Sequence, residues 1–128
     1  MRRNTMKFAI YQIQMTKEIS NAVNAGEIVP SFEAKNKMNM DFSGNKIGGL
    51  ASDAFDAGYY THVANIEAED YNDCFEVGNV GPDDQIERIT VRMSSLSVGD
   101  VIVGEDGTMA VIAPMGFVAF SHNPKMAA

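Results

Sequence analysis

The sequence predicts an α+β fold: a bent antiparallel sheet, closing into a small SH3- or Sm-like barrel toward its C-terminal end, with short helices laid on it. Three observations carry this expectation. Residues 6–14, MKFAIYQIQ, alternate aromatic and aliphatic side chains with the two-residue period of a strand. Tyr71, Cys74 and Phe75 recur at the i, i+3, i+4 spacing of one helical face. Further on, the runs VIV and TMAVIA flank Glu105-Asp106-Gly107, and Asp-Gly between apolar runs is a strong hairpin signal.

The elements follow in chain order. In the first strand Phe8 and Ile10 share one face, and Ala9, Tyr11 and Ile13 the other. Thr16 is placed to cap a helix over about 16–25, with Ile19, Ala22 and Val23 on one side and Gly26 at its end. Residues 26–49 contain Pro30, Asn36, Asn39, Ser43, Gly44, Asn45, Gly48 and Gly49, which read as a long irregular connection. Within it Met38, Met40 and Phe42 alternate as a short strand would. LASDAFDAG, 50–58, fits a helix stopped by Gly58, and YYTHVANIEAE, 59–69, fits a strand. Asp70 is a good N-cap for a helix closed by Gly78 and Asn79. GPDD, 81–84, is a turn, and Ile86, Ile89 and Val91 suggest a short strand. Pro114-Met115-Gly116 interrupts the ladder before the last strand, FVAF. Residues 1–128 are read as one domain, with a β-rich module at about 86–120 and a fraying tail at 121–128.

Composition narrows the function classes. Hydrophobic residues make up 45% and charged residues 21% of the 128, ordinary values for a globular chain. No apolar run approaches a membrane span of about 18 residues, so no membrane partner is expected. The short, Gln-broken apolar run at the start argues against a signal peptide, and the single cysteine, Cys74, suits a reducing cytoplasm. The net charge of −7 is uneven. Residues 67–106 hold eleven acids against Arg88 and Arg92, whereas residues 1–66 hold six acids and seven bases. Such a segment repels a phosphate backbone and attracts a basic partner. A nucleic-acid partner is therefore not expected.

Motifs of chemistry are sparse. His62 and His122 lie sixty positions apart, and no zinc-ligand spacing is present. Asp70-Tyr71-Asn72-Asp73 has a slight look of a calcium loop but lacks its glycine and distal glutamate. Ser94, Ser95 and Ser97 have no G-x-S-x-G setting, so Ser95 and Ser97 are expected to shape a turn. SGNKIGG, 43–49, lacks the phosphate-loop spacing. Cys74, on an apolar face among carboxylates, is expected to be an inert core thiol. Arg88 and Arg92 are expected to pair with neighbouring acids. Neither an enzyme nor a cofactor is expected. The nine methionines are unusual, and Met93 and Met115 flank turns of the C-terminal module, where an apolar patch would form.

The stretch FEVGN, then RMSSLSVGDVIV, then DGT and the closing Gly-Phe, resembles the YodL-like family of small proteins from phages and mobile elements. Arg92, Ser95, Leu96, Ser97, Val98, Gly99, Asp100, Gly107, Gly116 and Phe117 carry the resemblance, with IYQI at 10–13. It spans about the last 60 residues and the first strand. The chain departs from the pattern at Ala113-Pro114-Met115, where the family often has polar residues and an aspartate. The resemblance implies an accessory protein and supplies no catalytic residues. The expectation is thus a non-enzymatic, cytoplasmic binding module that meets a protein partner or its own copies. Its contact residues would be Asp70, Asp73, Asp83 and Asp84, with Arg92, Met93, Met115 and Phe117. The alternative is a small-barrel nucleic-acid binder using Arg2, Arg3, Lys7, Tyr59 and Tyr60.

Overall fold

A computed structural model describes residues 5–90 and 93–120. Expectations that rest on Arg2, Arg3, Val91, Arg92, His122 and the 121–128 tail lie outside them. The elements are β1 (Met6–Gln12), α1 (Lys17–Asn24), α2 (Pro30–Asn39), α3 (Ile47–Asp56), β2 (Thr61–Ala68), α4 (Tyr71–Val80), β3 (Ile86–Arg88), β4 (Val101–Gly104), β5 (Met109–Ile112) and β6 (Phe117–Ala119). A 3-10 turn, Asp83–Gln85, precedes β3.

All six strands form one antiparallel sheet in the order β3-β2-β1-β4-β5-β6. The α+β class and the antiparallel sheet are as the sequence predicts. The ladder runs linearly from β3 to β6, and barrel closure is not among its pairings. The Asp-Gly hairpin joins β4 to β5 with Val101 opposite Val111. Gly107 takes φ +91°, which an L side chain resists, and its N–H donates to Gly104 O at 2.9 Å.

Strand alternation divides the core in two. Phe8, Ile10, Ile66, Ile102 and Ile112 point to one face, where Cys74 and Val77 of α4 and Leu96 cover them. Val101, Val111 and Ile13 belong to the other, beneath Met38 of α2 and Ile47, Ala51 and Ala54 of α3. Each fully buried side chain of this size contributes about 1.5–3 kcal/mol over its exposed state. One irregularity interrupts the alternation of β2. Ile10 pairs with Ala64 but Tyr11 with His62, so Val63 is extra, and Val63 and Ala64 are both buried.

Thr16 caps α1 through a bond from the Ile19 N–H to Oγ1 at 3.1 Å, and Gly58 at φ +80° ends α3, both as expected. The reading of residues 26–49 needs correction. Residues 30–39 are helical, with Pro30 in the first turn, where its missing N–H costs nothing. Met38 is fully buried on that helix, whereas Met40 and Phe42 are 61% and 75% exposed, so no strand joins them. The α3 helix starts at Ile47, three residues before its expected start. In α4 the stop also lies further on, at Val80. Gly78 sits inside α4 because the helix lies against Leu96: a Cβ there would fall 2.7 Å from Leu96 Cδ1.

Candidate functional site

The acids of the 67–106 segment do not form a single cluster. Asp70 caps α4, its Oδ1 accepting from the Asp73 N–H at 2.8 Å, and Asp73 Oδ2 accepts from the Glu69 N–H at 2.9 Å. Asp70 thus satisfies an orphan donor of the helix start, and Asp73 reaches back to the N–H of the residue before the cap. Asp83 and Asp84 are exposed past the other end of the same ten-residue helix, about 15 Å away at 1.5 Å per residue. Asp83 pairs with Arg88 at 3.4 Å, as expected for that arginine, but both are exposed and such pairs contribute about 0–1 kcal/mol. On β2 and β3, Glu67 and Glu87 are exposed on the sheet face away from α4. The carboxylates therefore wrap around the β3 edge and along the outside of α4.

Nor do the predicted apolar contacts converge. Phe117 is half-buried at the start of α4, with ring centroids 5.6 Å from Tyr71 and 6.3 Å from Phe75. Met115 is 89% exposed beside it, at the turn before β6. Met93 packs at the far end of α4, where it lines two clefts. The tyrosines offered to nucleic acid are engaged in the fold. Tyr60 meets Phe55 in a tilted ring contact at 5.3 Å and donates its hydroxyl to Gly99 O at 2.6 Å, and Tyr59 packs on the α2–α3 side. Burial raises the Tyr60 phenol pKa, helped by the charge of Asp100.

A densely bonded polar node joins β1 to the loop before β4. Gln12 and Asp100 are 3% and 2% exposed. Gln12 Nε2 donates to Asp100 Oδ2 and to Ser94 O, both at 3.0 Å, and Gln12 Oε1 accepts from the Ser94 N–H at 3.1 Å. Asp100 Oδ2 also accepts from the Ser97 N–H at 2.9 Å. The 94–100 turn is thus held by the Asp100 carboxylate, with Ser97 acting through its backbone. Burial pushes the Asp100 carboxyl up to about 6, against the pull of the Ser97 N–H, the Lys35 charge and Gln12. A cleft of about 400 Å³ opens over this node, lined also by Met15 and Lys35.

A second polar chain lies on the β1–β2–β3 part of the sheet. His62 Nε2 is 2.8 Å from Asn65 Oδ1, Asn65 Nδ2 donates to Glu87 Oε1 at 3.0 Å, and Tyr11 stacks on the imidazole at 4.9 Å. Cys74 is buried, its thiol pushed up to about 12 by burial and then by Asp73, in line with an inert core thiol. Among the described residues no group of three His, Cys, Asp or Glu side chains is arranged to hold a metal ion. No described helix is long and apolar enough to cross a membrane.

Sequence reasoning missed both polar nodes. Gln12 and Asp100 are 88 positions apart, and only the placement of β4 beside β1 brings them together. A glutamine in the run FAIYQI, 8–13, was the available signal. No protein-family model matches the chain, and neither the curated proteins nor the solved structures contain a match.

Proposed function

We propose that this chain is a non-enzymatic binding module whose β3 edge docks on a basic segment of a partner protein. The observation that carries this reading is the end of the sheet itself. β3 pairs with β2 on one side only, and Asp83, Asp84, Glu87 and Glu67 are exposed around it. An extended basic segment added to such an edge gains main-chain hydrogen bonds from the strand and charge complementarity from the carboxylates. The closed-off Cys74 thiol and the structural use of Asp70 and Asp73 fit a module that binds rather than catalyses. The YodL-like pattern of the C-terminal module supports an accessory role for a phage or mobile element, in the host cytoplasm.

The test is salt-sensitive capture of a partner from nuclease-treated lysate, repeated with Asp83→Asn/Asp84→Asn/Glu87→Gln. This triple variant leaves the α4 cap intact, unlike neutralisation of Asp70 and Asp73. Capture that the variant loses and high salt abolishes supports the reading; capture unchanged by the variant refutes it. A second reading, self-association, is favoured by Met40 and Phe42, both exposed just past the end of α2. Light scattering behind size exclusion, with and without Phe42→Ser, decides it.

A further inference from the structure

The cleft over the Gln12–Asp100 node is independent of the β3 edge, and two opposite charges line it. Asp100 lies there, 2% exposed, its Oδ2 held by Ser97 N–H and Gln12 Nε2 while Oδ1 takes no hydrogen bond from the described residues. Lys35 lines the same cleft from α2 and acts on the Asp100 carboxyl through space, yet the described ion pairs do not include these two. Asp100 and Lys35 thus line the same cleft of about 400 Å³ with no ion pair between them among the described pairs. Gln12 is committed on both ends, to Ser94 and Asp100, so it orients the carboxyl and leaves ligand contact to Asp100. Met15 and Met93 supply adaptable apolar walls.

We propose that this cleft binds a free α-amino acid with an apolar side chain. The ligand ammonium sits on Asp100 Oδ1, its carboxylate on Lys35 Nζ, and its side chain between Met15 and Met93. A zwitterion answers both charges at once, through charge-assisted bonds of about 2.7–2.9 Å. A simple amine or a simple carboxylic acid leaves one charge without a partner, which is costly in a desolvated site. The volume lies in the range of small-molecule sites, about 300–1,000 Å³, and a few convergent polar groups on apolar walls are their usual make-up. The raised proton affinity of Asp100 fits such a site, since a buried carboxyl without a full counter-ion is what a ligand ammonium relieves.

The test is a titration followed by amide nitrogen–proton correlation spectra. The probes are L-leucine and L-methionine, with isoamylamine and 4-methylpentanoate as the amine-only and acid-only controls. The expected result is saturable shifts at Gln12, Met15, Ser94 and Asp100 for the amino acids, with both controls at least about tenfold weaker. Lys35→Met should weaken amino-acid binding at least about tenfold while the remaining spectrum is unchanged, since methionine keeps much of the aliphatic stem of this half-buried α2 side chain. Absence of saturable shifts up to about 10 mM, where affinity is too low for specific recognition, overturns the proposal. So do shifts that map outside the cleft, controls that bind as well as the amino acids, and a Lys35→Met variant that binds unchanged.

Discussion

Replacing Asp100 by Asn should remove a pH dependence from folding that the wild-type chain carries at its centre. The folded state holds the Asp100 proton more tightly than the unfolded state does, with the carboxyl raised from 3.8 to about 6. Its contribution to stability is therefore complete below pH 3.8 and is lost as pH rises through about 6. That difference corresponds to about 3 kcal/mol at 1.36 kcal/mol per pKa unit, a large part of a typical total of about 5–15 kcal/mol. The groups facing Asp100 are Lys35 from α2, Gln12 from β1, Tyr60 before β2 and the Ser97 N–H, and only Lys35 among them is charged near neutrality. Urea unfolding of both proteins between pH 4 and 8 measures the effect. Other carboxylates run the opposite way: Asp41 and Asp106 are held below the usual range by local hydrogen bonds, led by the Lys46 N–H and the Thr108 hydroxyl. They are common to both proteins and cancel in the difference. Wild-type stability minus that of Asp100→Asn should fall by about 2 kcal/mol from pH 4 to 7, the rest of the full difference lying outside that window. A difference that stays level across that range would refute the burial argument.

Three further outcomes are expected. Gly78→Ala gains about 1 kcal/mol of helix propensity but forces a methyl to within 2.8 Å of Leu96 Cγ in the core. A net loss of about 1–2 kcal/mol in denaturant unfolding is expected from such overpacking, and a gain would mean that α4 stands further from the 93–98 loop. Asp70→Ala should cost about 1 kcal/mol through the lost cap, whereas Asp84→Asn should stay within about 0.5 kcal/mol; equal effects would separate Asp70 from capping. Cys74 should resist an aromatic disulfide reagent at pH 8 until denaturant unfolds the chain, and rapid modification of the folded protein would contradict its burial.

Much of this architecture can be read from local pattern. The first strand, the Thr16 cap, the 105–107 hairpin and the apolar face of α4 are each set by neighbours within a few positions. What failed was decided over longer range. Pro30 and the asparagines resembled loop punctuation, yet Pro30 opens α2, and Ala34, Lys35 and Met38 share its sheltered side at helical spacing. Alternation of Met38, Met40 and Phe42 was a coincidence of residue type, since only Met38 meets the core. Gly78 looked like a stop but serves close packing, which only the position of Leu96 explains. The acids illustrate the same limit. Their charge is plain in the sequence, but the local bonds of Asp70 and Asp73 and the outward placement of Asp83 and Asp84 depend on the path of α4.

The order of the strands also bears on how the chain is made. β1, the first of the six described strands in chain order, lies between β2 and β4, which follow it by about 50 and 90 residues. During synthesis β1 can be covered on one side once β2 has emerged, but its other side stays bare until residues near 104 appear. An unpaired apolar strand is a template for wrong pairing, and non-local closure of this kind is slow. The strand that is the middle of the finished sheet is therefore the one whose second border waits longest for its partner, and a border of that kind is where chaperone protection has most to do.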